Sequence, residues 1–309
     1  MCLNGWKKVL GLDGNPNSPY FIMIKFAHII HIPMTGVGIW GSRGDEWLRH
    51  RIEIFKKYTL QSLIKQTNRQ FLIWITFRPE EEKHLLIQEL GNYLEEIKMP
   101  TIMTFHGLPY WDDKFSQGFI PWVMNAARII RDCAREKEYK LLVPSLFRLF
   151  GNKNRTLLYR LEKMLHELKK ITAFQDANYI YITRIDSDDM FHHEAVAEIQ
   201  AIPPFQGALV YDKGYVYNAN TNEMAVWEPK TNPPFHTIIF LGSQFFNPIE
   251  YLRFYGNFRS HEDIPKVFQT VKLSDYRYCV VVHQKHISTT WTHKFKDGPV
   301  VIEKLNEFI

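Results

Sequence analysis

Three carboxylates crowd into four positions of this 309-residue chain. Asp186, Asp188 and Asp189 directly follow the apolar run at residues 179–185, which has the composition of a buried strand. Ligands of open α/β sheets gather at the carboxyl ends of strands, and core packing gives no reason for acidic side chains there. These residue types suit the binding of a divalent cation.

Carboxylates this close repel one another, and a cation that bridges them to a diphosphate relieves the repulsion. Alternate residues of an extended backbone point the same way, so we expect Asp186 and Asp188 to share a site. An Asp-x-Asp pattern is common by chance, however, and Asp188 or Asp189 would also serve as the N-cap of a helix over residues 192–199. The two interpretations are compatible.

A succession of strands and helices must bring these carboxylates to a sheet edge. Strands are predicted at residues 22–32, 71–77, 99–105 and 179–185. Pro79 is expected to open the helix after the second strand. The first strand is followed by a helix whose apolar face carries Leu48, Ile52, Phe55, Thr59 and Leu63. This order of elements predicts a largely parallel sheet.

An amphipathic helix is predicted between the third and fourth strands. One interpretation is a helix that covers the core, and the other is an interfacial element near a lipid-linked acceptor. Its apolar stripe consists of Leu157, Leu158, Leu161, Met164, Leu165 and Leu168.

The second half of the chain has a different pattern. After Pro203 and Pro204, short β-type segments alternate with turn residues, at 208–211, 215–217, 224–227 and 237–241. The sheet is therefore expected to be mixed, with more antiparallel pairing in this half.

Composition limits the classes of protein to consider. The chain is 45% hydrophobic, which allows a large core, and its formal net charge of +5 is spread along its length, which suits anionic ligands such as nucleotides, nucleic acid or acidic membranes. The three cysteines lie far apart, so a reducing, cytoplasmic location is expected. No segment approaches the roughly 20 apolar residues that cross a bilayer, and no signal peptide is predicted.

The residues around the acidic cluster resemble a known enzyme group. Residues 184–189, Arg-Ile-Asp-Ser-Asp-Asp, are similar to the strand-end signature of inverting GT-A glycosyltransferases of the family-two type. Residues 51–67, from Arg51 through Ser62 and Gln66, resemble the first helix of the rhamnosyl transferase-like group. The resemblance implies a single GT-A domain over residues 1–309, with a nucleotide-sugar half at 22–190, a helical insertion at 140–170 and an acceptor half at 191–295.

The resemblance also implies roles for individual residues. Glu262 and Asp263 fall where the family keeps its catalytic base, with Asp263 the first choice, although both would also suit the first turn of a helix ending near Val271. His286 is expected to join the metal shell, with His283 and His293 as the alternatives. The remaining implied roles are Mn²⁺ or Mg²⁺ binding by Asp188 and Asp186, and donor binding by Arg184, Asp186 and Asp189.

One segment departs from the family pattern. GT-A enzymes usually carry an Asp after the second strand for the nucleotide base, whereas this chain has Arg78 there, after Thr76 and Phe77. Arg78 is either a phosphate or carboxylate contact or a solvated residue at a helix start. The departure leaves the base of the donor open.

The expected activity is metal-dependent transfer of a sugar, rhamnose or another hexose, from a nucleotide diphosphate donor to a glycan or lipid-linked glycan, with inversion. Two alternatives stay open. A strand-end acidic cluster in a basic chain also suits a metal-dependent phosphatase or nuclease, and a non-catalytic saccharide- or nucleotide-binding protein could keep the same fold.

Overall fold

A mixed seven-stranded sheet flanked by helices forms the centre of the α/β fold. The computed structural model describes residues 25–35, 44–78, 81–105, 153–229, 233–255, 261–274, 276–283 and 300–309, together with positions 123, 127, 130 and 134. The strand order is β10-β6-β9-β4-β1-β2-β3, and β9 runs antiparallel to both of its neighbours. Its strands are β1 (Phe26–Pro33), β2 (Leu72–Thr76), β3 (Thr101–Thr104), β4 (Tyr179–Arg184), β6 (Gly207–Val210), β9 (His236–Leu241) and β10 (Thr270–Lys272).

The strands β1, β2, β3 and β4 are parallel to one another, and β1 lies between β2 and β4. The strand order 3-2-1-4 reverses beside β1, so the crevice at the carboxyl ends of β1 and β4 is the position where open α/β sheets bind ligands. This arrangement is compatible with a Rossmann-like fold.

Both faces of β1 are buried, which explains why its sequence is an apolar run rather than an alternating one. Ile30 and Ile32 belong to the core on one face, and Ala27 and Ile29 to the core on the other. The first face is covered by α1 (Asp45–Ile54), α2 (Leu60–Ile64), α3 (Leu85–Glu96) and α6 (Ala195–Ala201). The second face is covered by α4 (Lys153–Lys169), α5 (Thr172–Gln175), α7 (Gly242–Phe245), α8 (Pro248–Tyr255) and α9 (Ile264–Val267).

The amphipathic helix predicted before the fourth strand is α4. Four residues of its stripe, Leu161, Met164, Leu165 and Leu168, are at most 2% exposed and pack in the core of the second face. The core-covering interpretation is therefore confirmed for these residues, and they are not available to a lipid surface. None of the described helices has the length and apolar character needed to cross a membrane.

A second, four-stranded sheet lies in the order β5-β11-β7-β8. Some side chains of this second sheet pack in the core on the first face of the large sheet. Others pack in a separate hydrophobic cluster, which also contains the buried side chain of Phe308. Phe308 follows a 3₁₀ turn, Ile302–Glu307. The strands are β5 (Met190–Phe191), β7 (Gly214–Asn218), β8 (Glu223–Trp227) and β11 (Tyr278–Val282).

Two local predictions differ from the structure, and a third lies outside the described residues. Neither Asp188 nor Asp189 caps a helix, because β5 follows them and α6 begins only after Glu194. No helix reaches Val271, which lies in β10, since α9 ends at Val267. The helix after β2, α3, begins after His84, whose ring accepts the backbone N–H of Leu86, and Pro79 lies outside the described residues.

Candidate active site at the end of strand β4

Residues 186–189, here called the carboxylate turn, reverse the chain between β4 and β5. The backbone N–H of Asp189 donates to the carbonyl of Asp186 at 3.1 Å, which closes the turn. The backbone is therefore not extended between Asp186 and Asp188, so their side chains do not point the same way as alternate residues of a strand would. The turn brings the three carboxylates together but gives Asp186 and Asp188 different partners.

Asp188 is held from the first face of the sheet. Its Oδ2 lies 2.5 Å from Nη1 of Arg51 on α1 and 3.3 Å from Nε2 of His283, which follows β11. Nε of Arg51 donates to the hydroxyl of Ser187 at 2.8 Å. The side chains of Arg51, Asp188 and His283 are each at most 7% exposed, so this ion pair lies in the interior.

The helical segment that carries Arg51 also fixes the chain after the turn. The hydroxyl of Ser62 accepts the backbone N–H of Phe191 at 3.2 Å, and the amide of Gln66 donates to the carbonyl of His192 at 2.9 Å and accepts from the N–H of Val196 at 3.0 Å. Between Arg51 and Ser62 the helix widens into one π-helical stretch, Phe55–Thr59. The segment that resembles the rhamnosyl transferase-like group thus holds the carboxylate turn and its continuation in place.

Asp186 is paired from the end of its own strand. Its Oδ1 accepts from Nη2 and Nε of Arg184, at 3.0 and 3.3 Å. Arg184 is buried, whereas the side chain of Asp186 keeps 32% of its surface exposed. Asp186 is therefore the carboxylate of the turn that solvent reaches most readily.

Asp189 is the carboxyl group of the turn whose pKa is most clearly shifted. It is buried, and its Oδ1 accepts the backbone N–H of Val281 at 3.1 Å. Burial, followed by the charges of Asp188 and Asp186, raises the pKa of the Asp189 carboxyl well above its usual range. Three carboxylates with oxygen ligands this close together are of the type that binds a hard divalent cation such as Mg²⁺ or Mn²⁺.

Two histidines flank Arg184 on the neighbouring strands. His31 on β1 and His236 on β9 both lie opposite Arg184 in register. Burial and the charge of Arg184 lower the pKa of His31 to about 3, and burial, Arg184 and then His261 lower the pKa of His236 well below its usual range. At neutral pH the positive charge of this row of three side chains therefore resides on Arg184.

The predicted base lies on a 3₁₀ turn, His261–Asp263, just before α9. Asp263 accepts from Nζ of Lys266 at 3.1 Å, and its side chain is 30% exposed. Glu262 is exposed.

The predicted metal-shell residue His286 lies outside the described residues. The histidine that the structure brings to the carboxylate turn is His283, three positions earlier. His283 is one of the three histidines that the sequence left open for this position, whereas no role was predicted for Arg51. The signal for Arg51 was its place in the segment of family resemblance, and nothing in the spacing alone could pair it with Asp188.

A buried carboxylate at the end of β2 was also missed. Glu81 is 4% exposed, and its Oε2 accepts the hydroxyl of Thr35 and, at 3.0 Å, the backbone N–H of Arg78. Nε of Arg78 donates to the carbonyl of Thr35 at 3.0 Å, and the side chain is buried, so the interpretation as a solvated residue is wrong. The chain therefore places an acidic side chain after β2 although Arg78 stands where the family pattern has Asp.

A second group of potential metal ligands lies beyond β5, where His192, His193 and Glu194 offer ligand atoms within 4.8 Å of one another. The guanidinium of Arg277 lies within this group, 3.0 Å from Nδ1 of His192 and 3.1 Å from a carboxylate oxygen of Glu194. Glu307 contacts His192 from the other side, with an Oε2–Nε2 distance of 3.2 Å. Arg277 and Glu194 form an ion pair here, and the hydrogen bond between His192 and Glu307 ties the 3₁₀ turn at Ile302–Glu307 to this cluster.

Comparison of the chain with protein-family models and with curated protein sequences finds no match.

Proposed function

We propose that this chain is a glycosyltransferase of the GT-A type, which transfers a sugar from a nucleotide diphosphate donor to a hydroxyl acceptor with inversion. The observation that carries the proposal is the position of the carboxylate turn. Asp186, Asp188 and Asp189 lie together at the carboxyl end of β4, beside β1, where the strand order of the sheet reverses.

Asp188 and Asp186 are the proposed metal ligands, and His283 is a third candidate because its Nε2 lies 3.3 Å from the carboxylate of Asp188. The chemistry that a bound Mn²⁺ or Mg²⁺ supplies is neutralisation of the charge that develops on a departing diphosphate. Arg51 keeps Asp188 in place and compensates its charge. His286 remains a predicted member of the shell.

Donor binding is assigned to the crevice between β1 and β4. Arg184 suits a phosphate oxygen, because a guanidinium presents two parallel donors. Glu81 is the proposed partner of the nucleotide base, since a carboxylate accepts hydrogen bonds from the N–H groups of a base edge and Glu81 lies buried at the end of the neighbouring strand.

Asp263 is the proposed catalytic base, with Glu262 as the second choice. A partly exposed carboxylate on the turn before α9 can accept the proton of an acceptor hydroxyl as that oxygen attacks the anomeric carbon. Nζ of Lys266 donates to Oδ1 of Asp263 at 3.1 Å.

The test is a screen of the whole protein against nucleoside diphosphates and their sugars, with and without Mn²⁺, by thermal shift and by transfer to saccharide acceptors. A ligand that binds the folded state raises the unfolding temperature by mass action. We expect one nucleotide family to stabilise the protein in the presence of metal, and its sugar to be transferred.

Different outcomes would support the other classes of function. Metal-dependent release of phosphate or cleavage of nucleic acid without a sugar donor would indicate a hydrolase. Tight binding of a nucleotide sugar without transfer or donor hydrolysis would indicate a binding protein.

A further inference from the structure

Two adjacent histidines and a glutamate lie between β5 and α6, on the far side of β5 from the carboxylate turn. His192, His193 and Glu194 each offer a ligand atom, and the three atoms lie within 4.8 Å of one another. The side chain of His192 is 5% exposed, whereas that of Glu194 is 51% exposed. The cluster is therefore anchored in the interior and reached by solvent at its carboxylate.

The hydrogen bonds of the two rings determine which nitrogen of each keeps a lone pair. The backbone N–H of Glu194 donates to Nδ1 of His192 at 3.2 Å, so Nε2 of His192 carries the proton. This Nε2 donates to Oε2 of Glu307 at 3.2 Å. Nδ1 of His193 donates to the backbone carbonyl of Glu307 at 2.8 Å, which leaves Nε2 of His193 as the basic nitrogen. A metal-binding histidine ordinarily donates its other N–H to a carboxylate or a backbone carbonyl, and Glu307 supplies one of each.

A positive charge already lies against these ligand atoms. Nη1 of Arg277 is 3.0 Å from Nδ1 of His192, and its Nη2 is 3.1 Å from a carboxylate oxygen of Glu194. The same guanidinium donates through Nε to Glu198 at 3.2 Å. Arg277 can therefore release His192 and Glu194 to another cation and still keep an acidic partner.

The types of ligand favour one class of cation. Imidazole nitrogens suit Zn²⁺, whereas Mg²⁺ and Mn²⁺ prefer carboxylate, carbonyl and water oxygens. Two histidines and one glutamate form a known ligand set for Zn²⁺, with the fourth position left to water. Zinc–ligand bonds of about 2.0–2.2 Å require the ligand atoms to move closer together, which the exposed side chain of Glu194 permits.

We propose that this cluster is a Zn²⁺ site, in which the ion takes the place of the Arg277 guanidinium. Its ligands are Nδ1 of His192, Nε2 of His193 and the carboxylate of Glu194. Because Glu307 holds both rings through their N–H groups, the bound ion fixes the start of α6 to the 3₁₀ turn at Ile302–Glu307. The inference goes beyond the proposed function and does not depend on it.

The experiment uses Zn²⁺ itself as the probe. The full chain, without an affinity tag and freed of metal by a chelator, is titrated with Zn²⁺ in competition with a chromogenic zinc indicator. Excess Mg²⁺ is present, so that sites built of oxygen ligands are occupied. We expect one Zn²⁺ ion per chain, and a rise in the unfolding temperature because the ion binds the folded state.

Substitutions identify the ligands. Glu194→Gln and His193→Gln are each expected to weaken Zn²⁺ binding by about tenfold or more, and Glu194 is exposed enough for its variant to fold. Arg277→Gln removes the competing cation, so this variant should bind Zn²⁺ several-fold more tightly. His166→Gln is the matched control, because His166 is an exposed histidine of α4, and it should bind Zn²⁺ as the unaltered protein does.

Three results would overturn the inference. The first is the lack of saturable binding of one Zn²⁺ ion per chain in the unaltered protein. The second is full Zn²⁺ affinity in a folded Glu194→Gln variant together with its loss in Asp186→Asn, which would place the ion at the carboxylate turn. The third is weaker binding by a folded Arg277→Gln variant, which would contradict the exchange of the guanidinium for the ion.

Discussion

Arg51 and Asp188 are 137 positions apart in the chain and form a buried ion pair with a separation of 2.5 Å. The pair joins the first helix to the turn after the fourth strand. Burial of two charges is costly, and the loss of one partner leaves the other uncompensated in the interior.

Arg51→Gln is therefore expected to lower the free energy of unfolding by about 3 kcal/mol or more, because Asp188 would remain buried without its cation. Urea denaturation of the unaltered protein and the variant gives this difference. Arg49→Gln, on the exposed side of the same helix, should change stability by no more than about 0.5 kcal/mol. Equal unfolding midpoints for the two variants would show that the ion pair contributes nothing.

Asp186→Asn is expected to reduce sugar transfer by a factor on the order of 100 or more, because a metal-binding carboxylate contributes several kcal/mol to charge stabilisation. The fold should survive, since the side chain is partly exposed and asparagine can still accept from Arg184. Initial rates with saturating donor and Mn²⁺ provide the measurement. Asp176→Asn is a control at an exposed position just before β4, and a transfer rate as low as that of Asp186→Asn would point to a general effect of lost charge.

Asp263→Asn is expected to lower the transfer rate by a factor of about 100 to 10,000 while donor binding stays within about twofold, as for loss of a general base. Lys266→Ala removes the partner of Asp263 but not the carboxylate, so this variant should keep most of the activity. A fully active Asp263→Asn variant would exclude Asp263, and Glu262 would be examined next.

Stability is expected to fall as the pH decreases from about 7 to 5. The folded-state pKa of His28 and of His31 is lowered to about 3, and that of His192 to about 4, mainly by burial. The pKa of these histidines in the unfolded chain is about 6.5. Below that pH the unfolded chain binds protons that the folded protein does not bind, which favours unfolding. The stability that each neutral, buried histidine contributes is therefore complete above about pH 6.5 and decreases as the pH falls toward the folded-state pKa. At pH 5 the loss reaches at most about 2 kcal/mol for each histidine.

Urea midpoints of the unaltered protein and of His192→Gln at pH 7 and pH 5 test this prediction, because the difference between the two proteins isolates His192 from other groups, such as Asp189, whose pKa is also shifted. His192→Gln should show a smaller decrease between the two pH values than the unaltered protein. An identical decrease in both proteins would mean that His192 does not contribute.

Leu165→Ala is expected to cost about 2–5 kcal/mol of unfolding free energy, because the side chain is 2% exposed in the core of the second sheet face and its removal leaves a cavity. Lys163→Ala, an exposed position two residues away on α4, should stay within about 0.5 kcal/mol. Denaturation curves distinguish the two, and a Leu165→Ala protein as stable as Lys163→Ala would contradict the core assignment of α4.

Much of the sheet could be predicted from local patterns. The runs at residues 71–77 and 179–185 became β2 and β4, because a strand buried on both faces needs apolar residues at nearly every position. The short strands β10 and β5 were not predicted. Three or two residues carry too little periodicity to be recognised, and their pairing partners, β6 and β11, lie far away in the chain.

The sequence by itself determined where the acidic cluster stands relative to a strand, because the end of an apolar run and the start of a polar one are both local properties. Only the tertiary structure decided the partners: Arg51 and His283 for Asp188, Arg184 for Asp186, and the backbone of Val281 for Asp189. Contacts between residues roughly 90 to 140 positions apart follow from how the layers pack and where the chain turns. The hydrogen bond that closes residues 186–189 into a turn, which no spacing rule predicts, gives neighbouring carboxylates different partners.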